Sequence, residues 1–208
     1  PLMAERYAQL AEKPGEPVLR PLARPRLSVD LANLMITVSR LGLDRRKPVD
    51  VFCPGAEYGP AKRWPAKHFA ELARRLAARG DAVWMIGSED DRTIGERVAR
   101  ESEGAAINLC GKTDLASAID LMSVARLVVS NDSGLMHVAA ALAKPLVAVY
   151  GSSSPEHTPP LADSARIVRI EGLACSPCYR RECPLGHFRC MNELTPGRVL
   201  AEIGEIGL

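Results

Sequence analysis

From Pro48 onward the chain alternates short, unbroken apolar runs with longer segments whose apolar residues recur every three to four positions. Few folds accommodate that pattern. The runs lie at 49–55, 82–88, 106–111, 126–131 and 146–152, with 165–170 as a further candidate. They are continuous rather than alternating, so as strands they must be covered on both faces. The segments between them read as helices. In 64–80, Pro65 suits a first turn, Phe69, Leu72, Ala73 and Leu76 line one face, and Gly80 ends the pattern. A polar helix runs to about Arg100, and 114–125 is a helix with Asp114 at its cap. An Ala-rich helix follows Asn131, and a last helix at 196–206 follows Thr195 as its cap. Strand–helix alternation of this kind predicts an α/β fold: a Rossmann-like parallel sheet with helices on both faces.

The first 47 residues break the pattern. A helix near the start leads into a Pro-rich connector, "EKPGEPVLRPLARPRLS", followed by a second helix at 30–41 that ends near Gly42. The opening "PLMAERYAQL" lacks a signal-peptide pattern and an initiator Met. The expectation is an interdomain helix and linker over 1–47, joined to a C-terminal piece of a longer protein. At 208 residues and 47% hydrophobic the chain supports a real core. Over all 208 residues the 27 basic and 25 acidic side chains are dispersed and only 4% of residues are aromatic, which argues against a nucleic-acid partner. No apolar run approaches the roughly 18 residues of a membrane span.

In a parallel sheet with helices on both faces, ligands bind beyond the carboxyl ends of the strands. Polar residues concentrate in those turns: 54–65, 87–91, 111–114, 130–134 and 150–160. In "SNDSG", Ser133 is a natural cap, so Gly134, Leu135 and Met136 would present free N–H groups to an anion. His137, one turn in, would add a donor, and Asp132 would bond a sugar hydroxyl or orient the loop. A plain capped helix with a surface histidine explains the same residues. Lys62 and Arg63 precede a helix and suit either phosphate neutralisation or a solvated basic pair. Glu89 directly follows a strand, where a carboxylate takes ribose hydroxyls or interacts with the helix dipole, as Asp90 and Asp91 would. There is no G-x-G-x-x-G, no P-loop and no D-x-D pair.

Six cysteines divide into two kinds. Cys53 and Cys110 sit in apolar runs and read as buried thiols. Cys175, Cys178, Cys183 and Cys190 fall within sixteen residues, spaced C-x2-C-x4-C-x6-C. Without an export signal the compartment reads as reducing and cytoplasmic, so a structural zinc competes with free thiols, ahead of disulfides.

The motifs "CPGAEYGPAKRWP", "GSEDD" and "SNDSGLMHVAAAL" through "KPLVAVYGSSSPEHTPPL", in this order and spacing, resemble the heptosyltransferases of glycosyltransferase family nine. The likeness covers most of 49–170, and "PLMAERY" resembles that family's interdomain helix. It implies a two-domain GT-B enzyme, with 48–208 as the C-terminal, nucleotide-sugar (donor) binding domain, carrying the Cys-rich segment 175–190. It implies ADP-heptose as donor, the inner-core heptose of lipopolysaccharide as acceptor, and a catalytic Asp in a missing N-terminal domain. Peripheral association with the inner membrane would accompany such an acceptor. Carried over by position, Ser133, Gly134 and Leu135 hold the diphosphate, Lys62 neutralises it, Glu89 takes the ribose, Asp132 faces the heptose and Thr113 flanks the adenine. His137 matches the motif with its role open. No cofactor is expected for catalysis. A family member with a different acceptor, or a non-catalytic nucleotide-binding module, would share every one of these residues.

Overall fold

The structure is a computed structural model that describes residues 2–18 and 20–208. Pro1 and Leu19, which fall in the expected helix and connector, lie outside the described residues. Six strands form one parallel sheet: β1 (Val49–Cys53), β2 (Ala82–Met85), β3 (Ala106–Asn108), β4 (Leu127–Asn131), β5 (Leu146–Val149) and β6 (Ala165–Val168), in the order β3-β2-β1-β4-β5-β6. This is the expected Rossmann-like architecture. The chain starts at the centre, runs out to one edge, and returns to build the other half. The strand order therefore reverses between β1 and β4, where Cys53 pairs with Ser130. A crevice opens at such a switch point.

The apolar runs of the inner strands are continuous because each of these strands feeds two cores, whereas Ile107 of β3 and Ile167 of β6, on the edge strands, are exposed. Phe52, Val83, Met85, Leu127, Val129, Val147 and Val149 point to one face. There α3 (Ala66–Ala77), α4 (Arg92–Glu101) and α8 (Pro196–Glu205) cover them. Val51, Cys53, Trp84, Val128, Leu146 and Ala148 point to the other. That face is covered by α2 (Leu31–Arg40), α5 (Leu115–Ser123) and α6 (Gly134–Ala141). The period-two alternation of direction divides one apolar run between two cores.

Helix α2 lies within the stretch expected as linker, yet it belongs to this domain. Asp30 caps it by accepting the N–H groups of Ala32 and Asn33. Leu34 is buried in the second core, and Asn33 donates to Asp120 of α5 at 2.6 Å. By contrast α1 (Met3–Gln9) buries no residue and leaves Tyr7 and Leu10 exposed. A short helix α7 (Arg189–Asn192) was not legible in the sequence; Gly151, directly after β5, packs against its Met191 side chain. Among the described residues, no helix is long and apolar enough to cross a membrane.

Candidate functional site

The turns beyond β1, β2, β3 and β4 converge on a cavity of about 510 Å³ at the switch point. Gly55, Ser88, Thr113, Ser133, Gly134 and Leu135 line it, with Ile86, Leu115 and Val138 as apolar walls. One residue explains why these turns meet. The Asn131 side chain, buried at the end of β4, donates to the Pro54 carbonyl at 2.8 Å and accepts the Trp64 N–H at 3.0 Å. Trp64, fully buried, in turn donates its indole N–H to Leu194 at 2.7 Å. Thus Trp64 is a packing anchor, and the 54–64 loop is tied to the α6 turn.

Ser133 occupies the N-cap position of α6, but its side chain makes no capping hydrogen bond; its hydroxyl stands 3.4 Å from that of Ser130. Met136 donates its N–H to the Ser133 carbonyl at 3.2 Å, so it is not a free donor as expected. This leaves Gly134 and Leu135, both lining the cavity, as the uncapped amides of the α6 turn. Thr195, the other expected cap, likewise makes no side-chain cap bond to α8.

Lys62 does not stand alone opposite these amides. It ends a short 3-10 turn, Pro60–Lys62, and donates to Asp132 Oδ2 at 2.6 Å. Ser153 Oγ donates to the same oxygen at 2.5 Å. Asp132 is 5% exposed, and both its close partners share one carboxylate oxygen. Lys62 and Ser153 line a second cavity, of about 310 Å³, that shares no lining residue with the first. The Asp132–Gly134 turn separates the two.

Glu89, the residue expected at the ribose, follows β2. It starts a 3-10 turn, lies on the surface, and pairs with Arg92 at 2.8 Å. It does not line the cavity. Three other carboxylates do, Glu57, Asp91 and Asp114; Asp91 Oδ2 accepts both the N–H (3.0 Å) and the O–H (2.8 Å) of Ser88. Asp91 fits only because Gly55 has no side chain: a Cβ there would stand 2.2 Å from its carboxylate. Thr113 does line the cavity, and its buried Oγ1 has no hydrogen-bond partner. His137 is exposed and lines neither cavity. Desolvation on its protein side and the Lys62 ammonium hold it below the usual histidine range, against the pull of Asp132.

The Cys-rich segment straps the rim of the second cavity. Ala61 donates to the Arg181 carbonyl at 3.0 Å, and Tyr179 donates its N–H to Ser152 at 2.7 Å. Gly59 permits this approach; its φ is 150°, and a Cβ would meet the Arg181 carbonyl oxygen at 2.5 Å. Behind the strap, Cys175, Cys178, Cys183 and Cys190 line a small cavity of about 20 Å³ with the buried Ser152. All four are free thiols. Backbone N–H groups, foremost that of Phe188 at 3.4 Å, lower the Cys183 thiol below its usual range. Among the described residues, no group of three His, Cys, Asp or Glu side chains is arranged as a metal-ligand set, although all four thiols face the same small cavity.

Comparison with known proteins identifies the setting. The glycosyltransferase family 9 (heptosyltransferase) model matches residues 1–189. Lipopolysaccharide heptosyltransferase 2 of Escherichia coli K12 is 40% identical over 215 residues, covering 99% of this chain and 62% of that protein. Lipopolysaccharide heptosyltransferase 1 of Pseudomonas aeruginosa is 32% identical, over 80% of this chain and 52% of that protein. The solved structure of E. coli ADP-heptose lps heptosyltransferase II superposes with a TM-score of 0.86 at 40% identity, again covering 99% and 62% of the two chains. A glycosyl transferase family 9 structure from Veillonella parvula shares the fold, with a TM-score of 0.81 at 23% identity. The chain spans 62% of the length of the E. coli relative.

Proposed function

This chain belongs to glycosyltransferase family 9, and from that premise we propose that it is the donor-binding half of an inverting heptosyltransferase of the type II kind. In this reading the whole enzyme transfers heptose from ADP-heptose to the inner-core heptose of lipopolysaccharide, at the cytoplasmic face of the inner membrane. The base that activates the acceptor belongs to another domain, and no residue of this chain is assigned that role.

The observation that carries the reading is the pair of uncapped amides, Gly134 and Leu135, set beside the Lys62–Asp132 pair at the switch point. Adenosine would lie in the first cavity between the apolar walls, with the unpartnered Thr113 hydroxyl at its edge. Because Glu89 is held by Arg92 on the surface, the ribose hydroxyls require either its release or Asp91 and Ser88 in its place. The diphosphate would sit on the amides of Gly134 and Leu135. A lysine ammonium has three N–H donors. Asp132 takes one, so two remain for phosphate oxygens. Asp132 keeps Oδ1 for a hydroxyl of the sugar.

The chemistry follows from where charge grows. As the acceptor hydroxyl attacks the anomeric carbon, the C–O bond to ADP breaks and the diphosphate gains negative charge. Donors fixed beforehand at that point stabilise the transition state more than the ground state. One such donor is worth about 3 kcal/mol. Amides and Lys62 supply this charge without a metal ion. The test is transfer from ADP-heptose by the full-length protein, with ADP binding measured on this chain alone. Transfer by the former, and binding without turnover by the latter, are expected. Transfer from a different sugar nucleotide in preference to ADP-heptose would refute the donor assignment.

A further inference from the structure

The four thiols of the Cys-rich strap take no part in the donor reading. Cys175, Cys178, Cys183 and Cys190 are half-buried and face one cavity of about 20 Å³, whereas Cys53 and Cys110 are buried in the domain. The four are unlike one another. Cys183 Sγ accepts the Phe188 N–H at 3.4 Å, and the N–H groups of Leu185, His187 and Gly186 also act to lower this thiol. Cys190 is the opposite case: burial and the charges of the other three thiols push it up to about 11. His187 Nδ1 stands 4.0 Å from Cys183 Sγ but accepts the Arg189 N–H at 3.1 Å, so that lone pair is not turned to the thiols. The strap itself has few ties. Residues 169–188, between β6 and α7, form no helix or strand. Ser176 Oγ donates to the Gly151 carbonyl at 2.7 Å, Tyr179 N–H donates to Ser152, the Arg181 carbonyl accepts from Ala61, and the Tyr58 hydroxyl donates to the Tyr179 carbonyl at 2.8 Å. Ser176, Tyr179 and Arg181 each lie within two residues of a cysteine, and Ala61 adjoins Lys62.

We propose that the strap is a site of reversible oxidation, at which Cys183 reacts with a hydroperoxide and then closes a disulfide with one of the three thiols that share its cavity. The thiolate is the reactive form of cysteine, and N–H groups aimed at the sulfur favour it. In the first step the Cys183 thiolate attacks the peroxide: an S–O bond forms, the O–O bond breaks, and the departing oxygen takes a proton to leave as alcohol or water. In the second, a neighbouring thiol gives up its proton and its sulfur attacks the sulfenic sulfur; the S–S bond forms, the S–O bond breaks, and water leaves. Two thiols lose two electrons, and the peroxide gains them. A thiol reductant reverses the bond. The disulfide crosslinks a segment that has no regular structure, removing freedom from it. It therefore holds Tyr179 on Ser152 and Arg181 on Ala61 more firmly, and so steadies the loop that carries Lys62. This stands whether or not the donor reading holds.

The full-length protein, freshly reduced, is treated with a small excess of hydrogen peroxide and followed by intact mass and peptide mapping. The expected product has lost two hydrogens, carries a disulfide between Cys183 and one of Cys175, Cys178 and Cys190, and returns to the starting mass with dithiothreitol. Limiting iodoacetamide on the untreated wild type should label Cys183 ahead of the other three, a readout that needs no variant. Cys183→Ser is expected to abolish the disulfide, with circular dichroism confirming that it folds. Hydrogen exchange at the Ala61 and Tyr179 amides should slow about threefold or more in the oxidised protein. Sulfinic or sulfonic acid without a disulfide, or a disulfide that forms equally fast in Cys183→Ser, overturns the proposal. So does exchange at the two amides that is unchanged or faster. Metal analysis of the protein as isolated supplies the remaining outcome: a stoichiometric ion that shields the four thiols from iodoacetamide until a chelator removes it would make this a metal site and not an oxidation site.

Discussion

Gly134 stands where a side chain would have nowhere to go but the crevice. A Cβ there meets no protein atom within 4 Å, and its backbone is not in the left-handed region, so any residue could occupy it without strain. Glycine is thus not required by the fold, and its use must lie in leaving the space open beside the α6 amides. Gly134→Val is therefore expected to leave the melting temperature within a few degrees and to weaken ADP binding about tenfold or more, measured by titration calorimetry on this chain. A variant that melts early, or that binds ADP as well as the parent, would show that the space serves something else. The same residue-level view bears on Glu89 and Asp91. Position after a strand is visible in sequence, but Glu89 and Asp91 are two residues apart, and only the turn they adopt decides which faces inward. Gly55 decided it for Asp91, by leaving room that a Cβ would fill.

Among the elements, β1, β2 and β4 share a charged junction at their amino ends, opposite the site. Arg126, just before β4, forks onto both oxygens of Asp50 in β1 (2.8 and 3.0 Å) and reaches Asp81 before β2 at 2.6 Å. Two carboxylates share one guanidinium. Burial, which outweighs the pull of Arg126, and the nearby Asp81 charge push the Asp50 carboxyl up to about 6. An unfolded aspartate titrates near 4. The folded state therefore holds an extra proton between about pH 4 and 6, and stability falls as pH rises through that window, on the order of 2 kcal/mol in all. Denaturant unfolding followed from pH 4 to pH 7 should show that fall, and Asp50→Asn should flatten it. A profile that stays sloped in the variant would assign the effect to another group. Elements were also the scale at which the sequence was most legible. The strands and most helices lie where the apolar periods put them, because burial on two faces leaves a continuous apolar run that little else produces. Helix α7 lacked such a signal: its four residues take their place from the Phe188 backbone, φ 48°, and from packing of Met191 on Gly151.

At the scale of the molecule, the stretch expected as linker divides. Helix α1 and the connector rest on the surface, whereas α2 completes the second core through Leu34. Removing residues 1–18 is expected to shift the melting temperature by only a few degrees. Removing 1–47 should abolish cooperative unfolding followed by circular dichroism, since it uncovers α5 and the β2 face; a sharp transition in the shorter chain would place α2 outside the folding unit. The sequence alone determined the parallel sheet, the end of it at which the polar turns gather, and the family likeness, because these depend on local periods and on contiguous motifs. Only the tertiary structure decided that Lys62 is held by Asp132, that Asp91 rather than Glu89 enters the first cavity, and that Tyr179 of the Cys-rich strap reaches the second. Lys62 and Asp132 are separated by 70 residues, and Tyr58 and Tyr179 by 121. No local pattern links such pairs; they meet because the order of strands in the sheet brings their loops to one edge.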